Sequence, residues 1–169
     1  MPPAPPEDSN EGPLMHHLWS SGDYEISTDP TRVDAGLVHE FLTNSYWAKG
    51  IPLATVRRSI ENSIPFGVYH GQQLVGFARI ISDLATFAYL ADVFILPSHR
   101  GRGLSRWLLE CIVVHPDLQG LRRWMLATKD AHRLYAKFGF TPLKSPESWM
   151  EIHRPDVYAR TSREAVPKK

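Results

Sequence analysis

An α+β domain with a mixed sheet flanked by helices is what this sequence of 169 residues predicts. Three apolar, β-rich stretches follow one another between residues 64 and 96, with turn residues between them. After Gly103 the apolar period changes to that of a helix. Strands and helices then interleave without strict alternation, in the order β-α-α-β-β-β-α-β-α-β, which favours α+β over a doubly wound parallel sheet.

Tyr24–Ser27 reads as a short first strand. Leu37, Val38, Phe41 and Leu42 recur at helical spacing and predict a helix from Asp34 to Asn44. A second helix runs from Ala54 to Asn62 with Val56 and Ile60 facing inward, and the link before it, from Ser45 to Pro52, is aromatic for a loop. Ile64–His70, the turn His70-Gly71-Gln72-Gln73 and Leu74–Ile81 form a β-hairpin. Thr86–Leu96 is the next strand and stops at Pro97. Leu104, Trp107, Leu108, Cys111 and Ile112 make one stripe of a helix that ends near Pro116. Leu121–Ala127 is a strand, and Ala131, Leu134, Tyr135 and Phe138 mark a short helix closed by Gly139. Trp149–His153 supplies a last strand.

The length suits one domain. Residues 1–22 are expected to be a disordered lead, Pro-rich over the first 13, followed by a domain at 23–160 and a solvated tail at 161–169. A 43% hydrophobic share with 22% charged residues is ordinary for a globular chain, and the net charge of +1 argues against a broad nucleic-acid surface. One cysteine excludes an internal disulfide and a Cys-based zinc pattern. The apolar runs are too short to span a bilayer, and the start lacks the basic and apolar regions of a signal peptide, so no membrane partner and a cytoplasmic home are expected.

The informative segment is Asp92-Val-Phe-Ile-Leu-Pro-Ser-His-Arg-Gly-Arg-Gly-Leu-Ser105. A strand ends, Arg100-Gly101-Arg102-Gly103 follows, and a helix begins at once. Glycines allow a sharp turn and close approach of a ligand, while free N–H groups and the dipole at a helix start attract anions. The arginines add donors for phosphate. A Walker A loop would need Gly-Lys-Ser/Thr, and a dinucleotide fingerprint would need glycine where Arg106 stands. A tight basic turn that binds nothing is the remaining reading of these residues alone.

The stretch from Leu96 to Ser105 resembles motif A of the GNAT superfamily of acyl-CoA N-acyltransferases, with Arg/Gln-x-x-Gly-x-Gly/Ala falling on Arg100, Gly103 and Ser105. A second block, Thr128-Lys-Asp-Ala-His-Arg-Leu-Tyr-Ala-Lys-Phe-Gly-Phe140, is similar to the family's Asn-x-x-Ala-x-x-Leu-Tyr-x-x-x-Gly-Phe segment. The blocks occur in the family's order and spacing. Ser105 replaces the small residue and Thr128 replaces the asparagine of the pattern.

The resemblance implies a mostly antiparallel sheet that opens a V-shaped gap between the strand ending at Leu96 and the strand Leu121–Ala127. It implies acetyl-CoA as cofactor, held by the backbone of Phe94, Ile95 and Leu96 along the pantetheine arm. Backbone N–H groups of Arg100, Gly101, Arg102, Gly103, Leu104 and Ser105 would hold the pyrophosphate, with Thr128 nearby. Tyr135 corresponds to the tyrosine whose hydroxyl points at the thioester sulfur. A phenol with a pKa near ~10 is protonated at neutral pH and can donate to a departing thiolate; the residues alone favour a core aromatic on the inner stripe of a short helix. A strand N–H near Ile95, at a bulge, would meet the developing oxyanion.

The implied reaction is transfer of acetyl to a primary amine of a small molecule or peptide, with a non-catalytic acyl-CoA-binding module as the alternative. Asp83 and Asp92 are candidates for proton acceptance or for holding a cationic acceptor. Trp47, with Tyr46 beside it, is a candidate wall of the acceptor site. Cys111 lies on the buried stripe and reads as core rather than nucleophile. The histidines show no metal spacing, so no metal is expected, and His99 beside the Arg100 turn is a candidate phosphate contact. A homodimer is compatible with the family.

Overall fold

A computed structural model describes residues 15–159 of the chain. The expected Pro-rich lead up to residue 14 and the tail at 161–169 lie outside the described residues. In order, the elements are β1 (Leu18–Ser21), β2 (Tyr24–Ser27), α1 (Ala35–Thr43), α2 (Leu53–Glu61), β3 (Ile64–His70), β4 (Gln73–Ser82), β5 (Phe87–Ile95), α3 (Leu104–Val113), β6 (Arg123–Met125) and α4 (His132–Ala136). The six strands form one sheet in sequential order, antiparallel from β1 to β5, with β6 parallel to β5.

The α+β class stands, and the predicted element order is corrected at both ends. Leu18–Ser21, placed in the lead by sequence, is a strand that pairs with β2 across a two-residue turn at Gly22-Asp23. Its Trp19 stacks on Phe66, and that burial holds the strand to the sheet. Trp149–His153 does not form a strand. Trp149 instead turns its ring onto the Arg123 guanidinium, 4.6 Å from the ring centroid, and Met150 and Ile152 face solvent.

Both faces of the sheet are covered. On one face α1 and α2 bury Val38, Leu42, Val56 and Ile60 against Tyr69, Leu74, Phe77 and Phe94. On the other, α3 brings Leu104, Leu108, Leu109, Cys111 and Ile112 onto Val68, Ala78, Ile80, Leu90 and Ile95, with Tyr135 joining them. Alternate residues of β5 therefore serve different cores, as the two-residue period of a strand requires. Asp34 starts α1 by accepting the Leu37 N–H at 3.0 Å, a cap worth about 1 kcal/mol. Pro116, three residues past the end of α3, cannot continue that helix.

Candidate active site

The sheet splits between β5 and β6. β5 pairs with β6 only through Phe87↔Arg123, Ala88↔Trp124 and Tyr89↔Met125, so the expected strand Leu121–Ala127 is shorter than its apolar run. Beyond Tyr89 the β5 edge carries no β6 partner. On its other edge β5 stays paired to β4, and the Leu96 N–H reaches the Val75 carbonyl at 2.8 Å. Backbone groups alternate sides along a strand, so those of Ile95 face the opening.

A bulge lies within this edge. Phe77 pairs with Phe94 and Arg79 with Ala91, leaving Asp92 and Val93 opposite Ala78 alone. The expected bulge thus sits at Asp92-Val93, a little before Ile95. Asp92 has φ 56°, a left-handed conformation that a short polar residue tolerates best after glycine. Its carboxylate is bound on both oxygens: the Arg79 Nε donates to Oδ2 at 2.5 Å and the Trp47 Nε1 to Oδ1 at 3.0 Å. With side-chain exposures of 9% for Asp92 and 17% for Arg79, this pair is screened from solvent. Asp92 therefore braces the bulge, and its oxygens are already occupied as acceptors.

The glycine loop follows directly. Gly101 and Gly103 adopt φ 75° and 77°, and a Cβ at either would meet nothing within 4 Å, so the loop faces open space. Gly103 caps α3 without a side-chain hydrogen bond, which leaves the first N–H groups of that helix without a side-chain partner. Leu104 is buried and offers only its backbone. The Arg100 Nε donates to the Ile95 carbonyl at 2.9 Å, tying the loop to the end of β5. His99 is engaged elsewhere, its Nδ1 at 2.9 Å from the Tyr24 hydroxyl.

On the far lip, Thr128 accepts the Ala131 N–H on its hydroxyl at 3.0 Å and so starts the turn into α4. Tyr135 projects from α4 into the core, nearly buried; burial above all, with Tyr46 and Asp130 adding to it, pushes its phenol up to about 12. It stays protonated across the physiological range. Tyr46 accepts the Lys129 N–H on its hydroxyl at 3.2 Å, and its ring meets Trp47 edge-on at 5.0 Å. Phe41 stacks on Phe94 at 3.9 Å behind them. Tyr46 and Trp47, Asp92 and Tyr135 are thus brought together from three separate stretches of chain.

Asp83 is not part of this group. It closes the β4–β5 turn, accepting from the N–H groups of Ala85, Thr86 and Phe87 and from the Thr86 hydroxyl, bonds that hold its carboxyl far below the usual range. Phe94 lies seven residues beyond Phe87 along β5, about 23 Å at ~3.3 Å per residue. Cys111 is buried in the core, which pushes its thiol up to about 12 and removes it as a nucleophile.

Sequence reasoning missed two groupings. The tether from Tyr46 to Lys129 joins residues 83 apart, and no spacing rule marks it. His17, His115 and Asp117 each bring a donor atom within 4.8 Å of the others. There the buried His115 already accepts the Asp117 N–H on Nδ1, and burial lowers its pKa, so it serves as a neutral cap for the turn at Pro116–Leu118. No helix among the described residues is long and apolar enough to cross a membrane.

Residues 61–142 match the model of the acetyltransferase (GNAT) domain family. A curated protein of Gibberella zeae, provisionally named an acetyltransferase, is 34% identical over 142 residues, covering 70% of this chain and 79% of that protein. A crystal structure of a GNAT-family protein from Xanthomonas campestris, also provisionally named an acetyltransferase, is 52% identical, with a TM-score of 0.80 over 83% of this chain and 99% of that one. A Clostridium acetobutylicum protein, crystallised with acetyl-CoA and described as a predicted acetyltransferase, shares the fold at 16% identity, with a TM-score of 0.57 over 82% of this chain and 96% of that one. Sequence, fold and the split sheet agree: the chain belongs to the GNAT family of acetyltransferases.

Proposed function

We propose that the protein transfers an acetyl group from acetyl-CoA to a primary amine of a small molecule or peptide, by direct attack within one ternary complex. The observation that carries this reading is the β5 edge from Leu90 to Ile95, which has no β6 partner and leads through the glycine loop to the start of α3, where no side chain caps the helix. An extended amide-bearing arm can pair with such an edge, and a pyrophosphate suits the N–H groups that follow it. The residues fit coenzyme A at both points: the loop glycines leave open space, and Arg100 and Arg102 add positive charge beside them. The acetyl-CoA complex of the Clostridium acetobutylicum neighbour supports the same reading.

Acetyl-CoA supplies an activated thioester, and the chain supplies the surroundings. The backbone of Ile95 orients the pantetheine arm and the N–H groups of Gly101 to Ser105 hold phosphate. The backbone groups of Phe94 and Leu96, expected on that edge, turn to β4 instead, and the Arg100 N–H is bonded to the Pro97 carbonyl. The Tyr135 hydroxyl, held protonated by burial, gives its proton to the departing sulfur. A backbone N–H at the Asp92-Val93 bulge or at Ile95 meets the developing oxyanion. Neither carboxylate serves as an obvious base, since Asp92 is braced and Asp83 is remote, so the acceptor amine sheds its proton to water.

Two measurements test this. Isothermal titration should show saturable binding of acetyl-CoA and desulfo-CoA without binding of ATP; absence of CoA binding would refute the cofactor reading. With an acceptor identified from an amine panel, Tyr135→Phe should keep acetyl-CoA binding and lose about 10²–10⁴-fold in turnover. Unchanged turnover would remove Tyr135 from the mechanism, and absence of transfer to every amine would favour a CoA-binding module.

A further inference from the structure

Tyr46 and Trp47 are neighbours in the chain, yet they are fastened to opposite lips of the split sheet. Trp47 donates its indole N–H to Asp92 on β5 at 3.0 Å. Tyr46 receives the backbone N–H of Lys129, in the segment between β6 and α4, at 3.2 Å. The rings brace each other edge-on, Phe41 lies 6.2 Å from Trp47, and the Lys129 ammonium sits 5.6 Å from the Tyr46 ring centroid. Two large aromatics with exposures of 58% and 42% are thus held rigidly at a surface opening rather than packed into a core.

We propose that the Tyr46-Trp47 pair is a strap across the mouth of the cleft that closes its acyl end and confines the transferred group to a short chain. This rests on the acyl-CoA reading above. A thioester lying along the β5 edge, with its sulfur toward Tyr135, carries its acyl group to the place where the two lips are tied together. An acetyl group ends before the strap. A chain several methylenes longer has to displace Tyr46 from Lys129 or Trp47 from Asp92. The Asp92 anchor is itself fixed by Arg79, so the Trp47 end is the firmer of the two, and the Tyr46 end is the one that yields. The nearness of Tyr46 to Tyr135 is also felt in the ionisation of the Tyr135 phenol, which Tyr46 opposes.

The assay is direct binding and needs no acceptor. Isothermal titration of the full chain is made with CoA, acetyl-CoA and hexanoyl-CoA, on wild type, Tyr46→Phe, Tyr46→Ala and Trp47→Phe, and each acyl-CoA affinity is divided by the CoA affinity of the same variant. Wild type should bind hexanoyl-CoA at least about tenfold more weakly than acetyl-CoA, the scale on which a closed pocket discriminates added methylenes. Tyr46→Ala should bring the two within about twofold of each other. Tyr46→Phe, which keeps the ring and loses the acceptor for Lys129, and Trp47→Phe, which loses the donor to Asp92, should each move the ratio in the same direction. A general loosening of the fold would weaken all three ligands together and leave the ratio unmoved. Equal affinities in wild type, or a ratio that persists in Tyr46→Ala, overturns the strap. Failure of wild type to bind CoA overturns the cofactor reading instead, and the strap falls with it.

Discussion

Gly76 sits on β4 opposite Ile95, the residue whose backbone faces the opening, and Gly76→Ala tests how tightly that edge is held. A Cβ built there would stand 2.5 Å from the Ile95 Cδ1, 3.0 Å from the Phe94 carbonyl oxygen and 3.2 Å from the Val68 Cβ. The first contact requires Ile95 to change rotamer inside a buried core, and the second presses on the β5 backbone, which cannot rotate away. Overpacking of this kind costs about 1–3 kcal/mol, or roughly 2–12 °C in Tm for a domain of this size. Ile95→Val removes the Cδ1 and alone costs about 0.5–1.5 kcal/mol. If the close contact is the cause, the double variant should be more stable than the sum of the singles by about 1 kcal/mol, well outside the ~0.3–0.5 kcal/mol of ordinary additivity. Urea denaturation at matched m-values measures all four proteins. Additive losses, or a Gly76→Ala protein as stable as wild type, would refute a close contact between position 76 and the Ile95 side chain. The shift of β5 should also weaken CoA binding in Gly76→Ala, because the same strand end carries the proposed pantetheine contacts.

Burial raises Tyr69 and Tyr135 from 10 to about 12 and Cys111 from 9 to about 12, so the folded state holds these protons more tightly than the unfolded chain. Their contribution is complete below about pH 9 and is lost as pH rises toward about 12, at about 2–3 kcal/mol per tyrosine; the urea midpoint should be flat with respect to these groups up to about pH 9 and fall steeply above it, and a flat profile to pH 11 would contradict the burial argument. The Tyr69 hydroxyl is buried without a hydrogen-bond partner among the described residues, so Tyr69→Phe should leave the Tm unchanged or raise it, and a loss above about 1 kcal/mol would reveal a partner for that oxygen. Asp92→Ala leaves the Arg79 charge uncompensated in the sheet and should cost toward the lower end of ~3–5 kcal/mol, with Arg79→Met in the same chain recovering a large part of it; equal instability of the single and double variants would show that the bulge, and not the charge, is what Asp92 sustains.

Period and punctuation made most of the elements legible. The stripe Leu104, Leu108, Cys111 and Ile112 is the buried face of α3, and Val38 and Leu42, Val56 and Ile60 are those of α1 and α2, because apolar spacing records directly which side of a helix meets the core. The glycine loop before α3 was legible for a similar reason: its conformation is a local property of the residues that form it. The ends were read less well. Leu18–Ser21 is short and preceded by two histidines, and its burial comes from Trp19 finding Phe66 on a distant strand. Trp149–His153 has the alternation of a strand, yet Arg123 captures Trp149 and no ladder forms.

By itself, then, the amino-acid order determined the helices, the hairpin, the glycine loop before α3 and the two blocks that mark the family, since all of these depend on neighbours a few residues apart. The tertiary structure alone decided that β6 leaves β5 after Tyr89, that Asp92 is a brace with both oxygens bound, and that Tyr46 and Trp47 are fastened to opposite lips of the opening. Those outcomes are set by hydrogen bonds and ion pairs between residues 13 to 83 positions apart, whose partners are chosen by packing and leave no periodic trace in the chain.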